Sequence, residues 1–275
     1  MAREPSWLRE RAASPPLRLS TVPRVQPELD LGPLTVQTFG ICLAFAFLGS
    51  GAVLARRLIE LDKPVDWAYE MVFAAAIGGL VGSRVDYLTQ NWGKVSGDLL
   101  GNLLSGSGLV WFGGLVGGAL GVVLWARWRG FLNASMLDAC APGLAFGYAI
   151  GRVGCQVSGD GDYGKATDLP WGMAYPDGTR PTTEEVQPTP IFETAAMGLA
   201  ALVLWSLRDR YRPGVLFGIY LVLAGMERLL IEVIRRNEAV VAGLTQPQLI
   251  SMAMVAGGVA LLVLRRPWGP VARAA

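Results

Sequence analysis

Residues 31–55 read LGPLTVQTFGICLAFAFLGSGAVLA, twenty-five residues without a charge. A bilayer core of about 30 Å needs about 20 helical residues, so this stretch reads as a membrane span. Working outward, 99–126 and 239–264 are also charge-free and long enough to cross with some tilt. Four further apolar segments are interrupted by charge: 67–91 with Glu70, Arg84 and Asp86; 137–156 with Asp138 and Arg152; 187–207 with Glu193; and 213–236 with Glu227, Arg228, Glu232 and Arg235. Backbone groups in hydrocarbon must be satisfied within the segment, so these too read as helices. The expectation is an all-α polytopic membrane protein with seven transmembrane helices.

The composition agrees. Charged residues make up 17% of the chain and hydrophobic ones 52%, against about 25% charged in soluble domains. A net charge of +2 with no basic run excludes a nucleic-acid surface. There is no histidine, which removes the commonest general base, the usual zinc and haem ligand, and every Ser-His or Cys-His pair. Cys42, Cys140 and Cys155 have neither disulfide-framework nor metal-ligand spacing. Neither a metal nor a cofactor is expected.

Lys and Arg counts orient the spans. Segments 56–66, 127–136, 208–212 and 265–275 together hold eleven, and the opposite loops five. The expected topology has the N-terminus outside and the C-terminus cytoplasmic. Residues 1–30, with five arginines, four acids and five prolines but no apolar core, read as an irregular tail. The spans occupy 31–266, with an extracytoplasmic loop at about 157–186, and 267–275 form a cytoplasmic tail.

Charges inside a membrane usually face a cavity or a partner. Arg228, Glu232 and Arg235 fall at i, i+4 and i+7, on one face of one helix. A helix–helix salt bridge is one reading. Three alternating charges plus Arg152 on another helix exceed what one structural pair needs, and arginine's planar fork suits phosphate oxygens. A phospholipid headgroup is the second reading, which leaves the reaction open. Gly78-Gly79, Gly82, Gly113-Gly114 and Gly117-Gly118 have the spacing of close helix packing. The run Gly151–Gly164 is the densest polar and glycine segment. It reads as a site wall at a helix end or as a glycine-rich turn, and lacks the ligand spacing of a calcium loop.

Four segments make the chain resemble the prolipoprotein diacylglyceryl transferase family of bacterial inner membranes, over about residues 33–237. Gly82-Ser83-Arg84 with Tyr87 is similar to the family's Gly-x-Arg-x-x-Tyr. Trp111-Phe112-Gly113-Gly114-Leu115 is similar to its His-Gly-Gly-Leu. The Gly151–Gly164 run followed by Thr167-Asp168-Leu169-Pro170-Trp171-Gly172 resembles its Gly-Arg-x-Gly-Asn signature with Thr-Asp-x-Pro-Trp-Gly downstream. Arg228, Glu232 and Arg235 follow Arg212-Pro213-Gly214 as in the family.

The resemblance implies seven spans and transfer of the diacylglyceryl group of phosphatidylglycerol to the lipobox cysteine of a prolipoprotein signal peptide. A thioether forms and glycerol phosphate leaves, in the bacterial cytoplasmic (inner) membrane. It further implies that Arg152 and Arg228 hold the phosphate, with Glu232 and Asp160 beside them as catalytic residues. Arg84, Tyr87, Gly113, Gly114, Gly154, Gly159, Gly164, Glu193 and Arg235 would line the substrate site. The family's histidines are replaced by Phe112 and Gln187, and its signature asparagine by Cys155. The thiol's base is therefore open: Asp160, Asp162 or Glu193, or no protein base. A phospholipid-dependent transferase with another acceptor, or a non-catalytic lipid-binding or transport protein, are the alternative readings.

Overall fold

The structure, a computed structural model, describes residues 25–92 and 111–265. Most of the expected N-terminal tail, the first part of the 99–126 stretch, most of the loop before it and the C-terminal tail lie outside these residues.

Seven helices are present among the described residues: α1 (Thr38–Glu60), α2 (Asp66–Gln90), α3 (Trp111–Trp128), α4 (Ala134–Ser158), α5 (Thr189–Leu207), α6 (Val215–Ile234) and α7 (Gln246–Arg265). By length and composition α1, α2, α5 and α7 can cross a membrane, and Gly113–Trp128 is a shorter apolar helix. The charges on α4 and α6 set them apart. The molecule is thus a helical membrane protein. Large apolar side chains such as Phe45, Leu48, Phe73, Leu202, Leu230 and Val263 point outward, as a lipid-facing surface requires.

The helices are not the whole of it. Three antiparallel hairpins accompany them: β1 (Glu28–Leu31) with β2 (Leu34–Gln37), β3 (Met173–Tyr175) with β4 (Thr182–Val186), and β5 (Ala239–Val241) with β6 (Leu244–Thr245). Two expectations change. Residues 28–30, placed in the irregular tail, and Leu31 to Gln37, placed in the first span, pair as two strands across a turn at Gly32, whose φ is +70°. The charge-free stretch 239–264 begins as a hairpin, because Ala242 and Gly243 take φ of 49° and 77° and break the helix there. A window of apolar residues cannot distinguish these two conformations.

Helix α2 packs along α3, α1 along α4, α4 along α5, and α6 along α7 and α5. The α2–α3 seam is backbone on backbone: a Cβ on Gly82 would collide with the Gly113 carbonyl and lie 2.7 Å from Gly117 Cα. At the end of the bundle holding the α4 N-terminus, Asp138 accepts the backbone N–H groups of Gly214 and Phe217 at 2.7 Å each. That carboxylate satisfies orphan donors of the α6 N-terminus. At the same end Glu60 of α1 takes both Arg208 Nε (2.8 Å) and Nη2 (3.1 Å). Glu70 of α2 takes Trp125 Nε1 at 2.8 Å. Asp138 and Glu70 therefore hold helix ends together.

Candidate functional site

The opposite end carries the charged site, where the C-termini of α4 and α6 meet the N-terminus of α5. Helix α4 stops at Gly159, which adopts φ 57°, ψ 49° and returns its N–H to Cys155 O at 3.0 Å. Only glycine fits: a Cβ there would stand 2.8 Å from Gly178 Cα. The turn throws the chain back across the helix end, bringing Asp160 and Asp162 over Arg152. Pro190 in the first turn of α5 suits a helix start and sets Glu193 one turn inside.

Glu193 is fully buried and lies at the centre. Its Oε1 is 3.3 Å from Arg152 Nε and 3.0 Å from Arg228 Nη1, and its Oε2 is 3.5 Å from Arg235 Nη1. Tyr148 of α4 donates its hydroxyl to the same Oε1 at 2.9 Å. Glu232 Oε2 holds Arg228 Nη2 at 3.0 Å, while its Oε1 accepts from Thr245 Oγ1 (2.6 Å) and Asn237 Nδ2 (2.8 Å). Asp162 closes the group from the loop side. One of its oxygens takes Arg152 Nη1 and the other Arg235 Nη2. Its side chain is 37% exposed, whereas Arg152 and Arg235 are 14% and 6% exposed. Three arginines thus face three carboxylates, and only the outermost carboxylate reaches solvent.

The two loop acids differ. Burial pushes the Asp160 carboxyl up and the Asp162 charge pushes it further. Burial also acts to raise Asp162, but the guanidiniums of Arg235 and Arg152 outweigh it and hold that carboxyl below the ordinary aspartate value. The Asp162 N–H donates to Asp160 Oδ1 at 3.0 Å. Ligand atoms of Cys155, Asp160 and Asp162 lie within 4.8 Å of one another. Both Asp162 oxygens already serve arginines, and a cation there would sit against two guanidiniums, so the donor set favours anions.

The structure brings together Arg152, Arg228, Glu232, Arg235, Glu193 and Asp160. Gly164 belongs to the same wall: it bridges Arg235 backbone to backbone, and a Cβ would stand 2.6 Å from Ile234 O. Gly154 lies inside α4 rather than in a loop and packs against Cys42 of α1, with an ideal Cβ 2.9 Å from Cys42 Cβ. Arg84, Tyr87, Gly113 and Gly114 lie instead on the α2–α3 pair, which packs on α1. Arg84 is buried, its guanidinium 5.7 Å from the Tyr87 ring centre. Gly113 donates its N–H to Asp86 at 3.0 Å. Of Phe112, only its place in the first turn of α3 is described. The bridging role of Asp162 and the presence of Tyr148 had no motif to announce them. Spacing of four from Arg152 put Tyr148 on the same face of α4, which is the one signal available.

Known proteins resemble the chain along most of its length. The family described as prolipoprotein diacylglyceryl transferase matches residues 27–264. A Leptospira interrogans protein named phosphatidylglycerol–prolipoprotein diacylglyceryl transferase is 30% identical over 242 residues, covering 78% of this chain and 76% of its own. Proteins of the same name are 30% identical in Pseudomonas fluorescens (strain Pf0-1), covering 91% of this chain and 97% of the relative, and 31% identical in Dehalococcoides mccartyi, covering 86% and 92%.

Proposed function

The chain belongs to the prolipoprotein diacylglyceryl transferase family, and from that premise we propose how its buried ion cluster serves the reaction. The protein is a transferase of lipoprotein biosynthesis: it moves the diacylglyceryl group of phosphatidylglycerol onto a prolipoprotein. In the proposed scheme all seven helices cross the bacterial inner membrane, with the N-terminus outside and the C-terminus cytoplasmic, so the cluster faces the outer leaflet. The acceptor is the lipobox cysteine of the signal peptide. Its sulfur attacks the glycerol carbon, the carbon–oxygen bond to phosphate breaks, and glycerol phosphate departs.

One observation carries the site assignment: the Asp162 carboxylate bridges Arg152 and Arg235, one oxygen to each. A phosphodiester presents the same pair of oxygens. Asp162 therefore stands where the lipid phosphate is to bind, and its exposed position lets it swing away. Arg152 and Arg235 then meet the phosphate directly, Arg228, which shares Glu193 with both, completes the clamp, and Glu232 fixes Arg228. Preorganised guanidiniums aimed at a departing phosphate stabilise the charge that develops there. Asp160, beside Asp162 on the loop, hydrogen-bonds the glycerol headgroup, with Gly159 and Gly164 shaping the wall and Arg84 and Tyr87 lining the cleft's far side.

A carrier would spread its charges along a path through the membrane. Residues 139–151 of α4 and 215–226 of α6 contain none, so the two charged ends are separated by an apolar layer, which supports the enzyme reading. Incubation of the purified protein with phosphatidylglycerol and a lipobox peptide should yield the mass of a diacylglyceryl thioether. Arg152→Ala and Arg228→Ala should each abolish that product while the protein stays folded. Near-normal turnover by either variant contradicts the phosphate clamp.

A further inference from the structure

The transfer leaves one chemical requirement unmet: something must take the proton from the acceptor thiol. Glu193, Glu232 and Asp162 are each tied to arginine. Asp160 belongs to the loop beside Asp162, on the side where the phosphate binds. Displacement at carbon brings the sulfur in from the face opposite the departing phosphate oxygen, so a base on the phosphate's own side is misplaced.

A fifth acid lies one residue deeper than the clamp. Glu227 precedes Arg228 on α6, at the deep end of the ladder that climbs through Glu232 to Arg235. Its Oε1 is buried without a hydrogen-bond partner, and its carboxyl enters no ion pair among the described residues. The charged and titratable groups facing it are Arg228 and Arg235 from its own helix end, Glu193 from α5, and Arg152 and Tyr148 from α4. The arginines among these are already matched one for one by Glu193, Glu232 and Asp162. Keeping a further, unmatched acid inside a membrane protein is costly, and such residues mark function more often than packing.

Building on the transferase reading, we propose that Glu227 is the base that accepts the thiol proton, in place of the histidine this chain lacks. A Glu227 carboxylate oxygen takes the S–H proton as the sulfur pair forms the carbon–sulfur bond. The electron pair of the broken carbon–oxygen bond leaves with the phosphate as glycerol phosphate. Glu227 returns its proton to water once the products have gone.

The test compares wild-type protein, Glu227→Gln and Glu227→Asp in phosphatidylglycerol vesicles with two lipobox peptides, one carrying cysteine and one selenocysteine. A selenol is already ionised at neutral pH and needs no base. With the cysteine peptide at pH 7, Glu227→Gln should lose on the order of 10²–10⁴-fold in rate and Glu227→Asp should recover part of it. The Glu227→Gln rate should climb about tenfold per pH unit up to the ordinary thiol pKa of about 8.5. With the selenocysteine peptide, Glu227→Gln should stay within a few-fold of wild type, which also shows that it is folded. Loss of rate on both peptides would mean a structural role and overturn the proposal, as would a cysteine-peptide rate of more than about a tenth of wild type. A wild type inactive on both peptides overturns the transferase reading itself, and this inference with it.

Discussion

Asp160 and Asp162 sit two residues apart on one turn and respond to pH in opposite senses. Asp162 is held below its ordinary value of 3.8, so its ion pairs contribute stability that is complete above that value and lost as pH falls through the lowered one. Asp160 is raised above 3.8, so the folded state loses stability as pH rises from 3.8 through the raised value. At pH 7, then, Asp160→Asn should melt higher than wild type and Asp162→Asn lower, with both differences shrinking in acid thermal scans. Asp162→Asn has a second effect, since it removes the anion that occupies the phosphate position. Its KM for phosphatidylglycerol should fall several-fold, and an unchanged KM would argue against displacement. Glu193 is the most exacting position. Removing a buried carboxylate that three arginines share costs about 3–5 kcal/mol, so Glu193→Ala should fail to accumulate in the membrane. The sequence made Arg228, Glu232 and Arg235 legible through their spacing on one helix face, and Arg152 as a charge interrupting another apolar segment. It could not show that Glu193 is their hub, because that contact depends on which helix lies beside which.

Among the elements, the α2–α3 pair is the most tightly specified. Gly78, Gly82, Gly113 and Gly117 bring carbonyl oxygens of one helix against the Cα atoms of the other. A methyl group at Gly117 would stand 2.7 Å from Gly82 Cα, so Gly117→Ala must push the helices apart at a cost of about 1–3 kcal/mol. A methyl group at Gly198 of α5 would meet nothing within 4 Å. Gly198→Ala should therefore stabilise by up to about 1 kcal/mol through helix propensity, and melting in detergent would show the opposite signs. Glycine spacing predicts this seam from sequence because the packing rule is local to two helices. The hairpins escape the same reading: Ala239–Val241 and Leu244–Thr245 are apolar, uncharged and continuous with α7. The loop between α4 and α5 has its own small core, in which the Tyr163 and Tyr175 rings stack at 4.6 Å. No periodicity in an acidic, glycine-rich segment foretells that pair.

At the scale of the whole molecule, the seven helices among the described residues correspond to the charge-free windows and the interrupted ones between them. What the windows do not contain is depth. Asp138 and Arg152 are fourteen residues apart on α4, as are Gly214 and Arg228 along α6, which is roughly 21 Å in each case at about 1.5 Å per residue. The carboxylate that pins α6 from the far end therefore fixes how deep the arginines lie. Hydrocarbon in an ordinary bilayer is about 30 Å thick, so the slab between the two polar layers is thinner than the membrane around it. Either the bilayer dimples at this protein or the lipid headgroup sinks beneath its neighbours to reach the site. The protein becomes, in effect, a gauge of membrane thickness. Turnover in vesicles of short-chain phosphatidylglycerol should exceed that in long-chain vesicles at equal surface concentration, and a flat dependence on chain length would show that the lipid descends without cost.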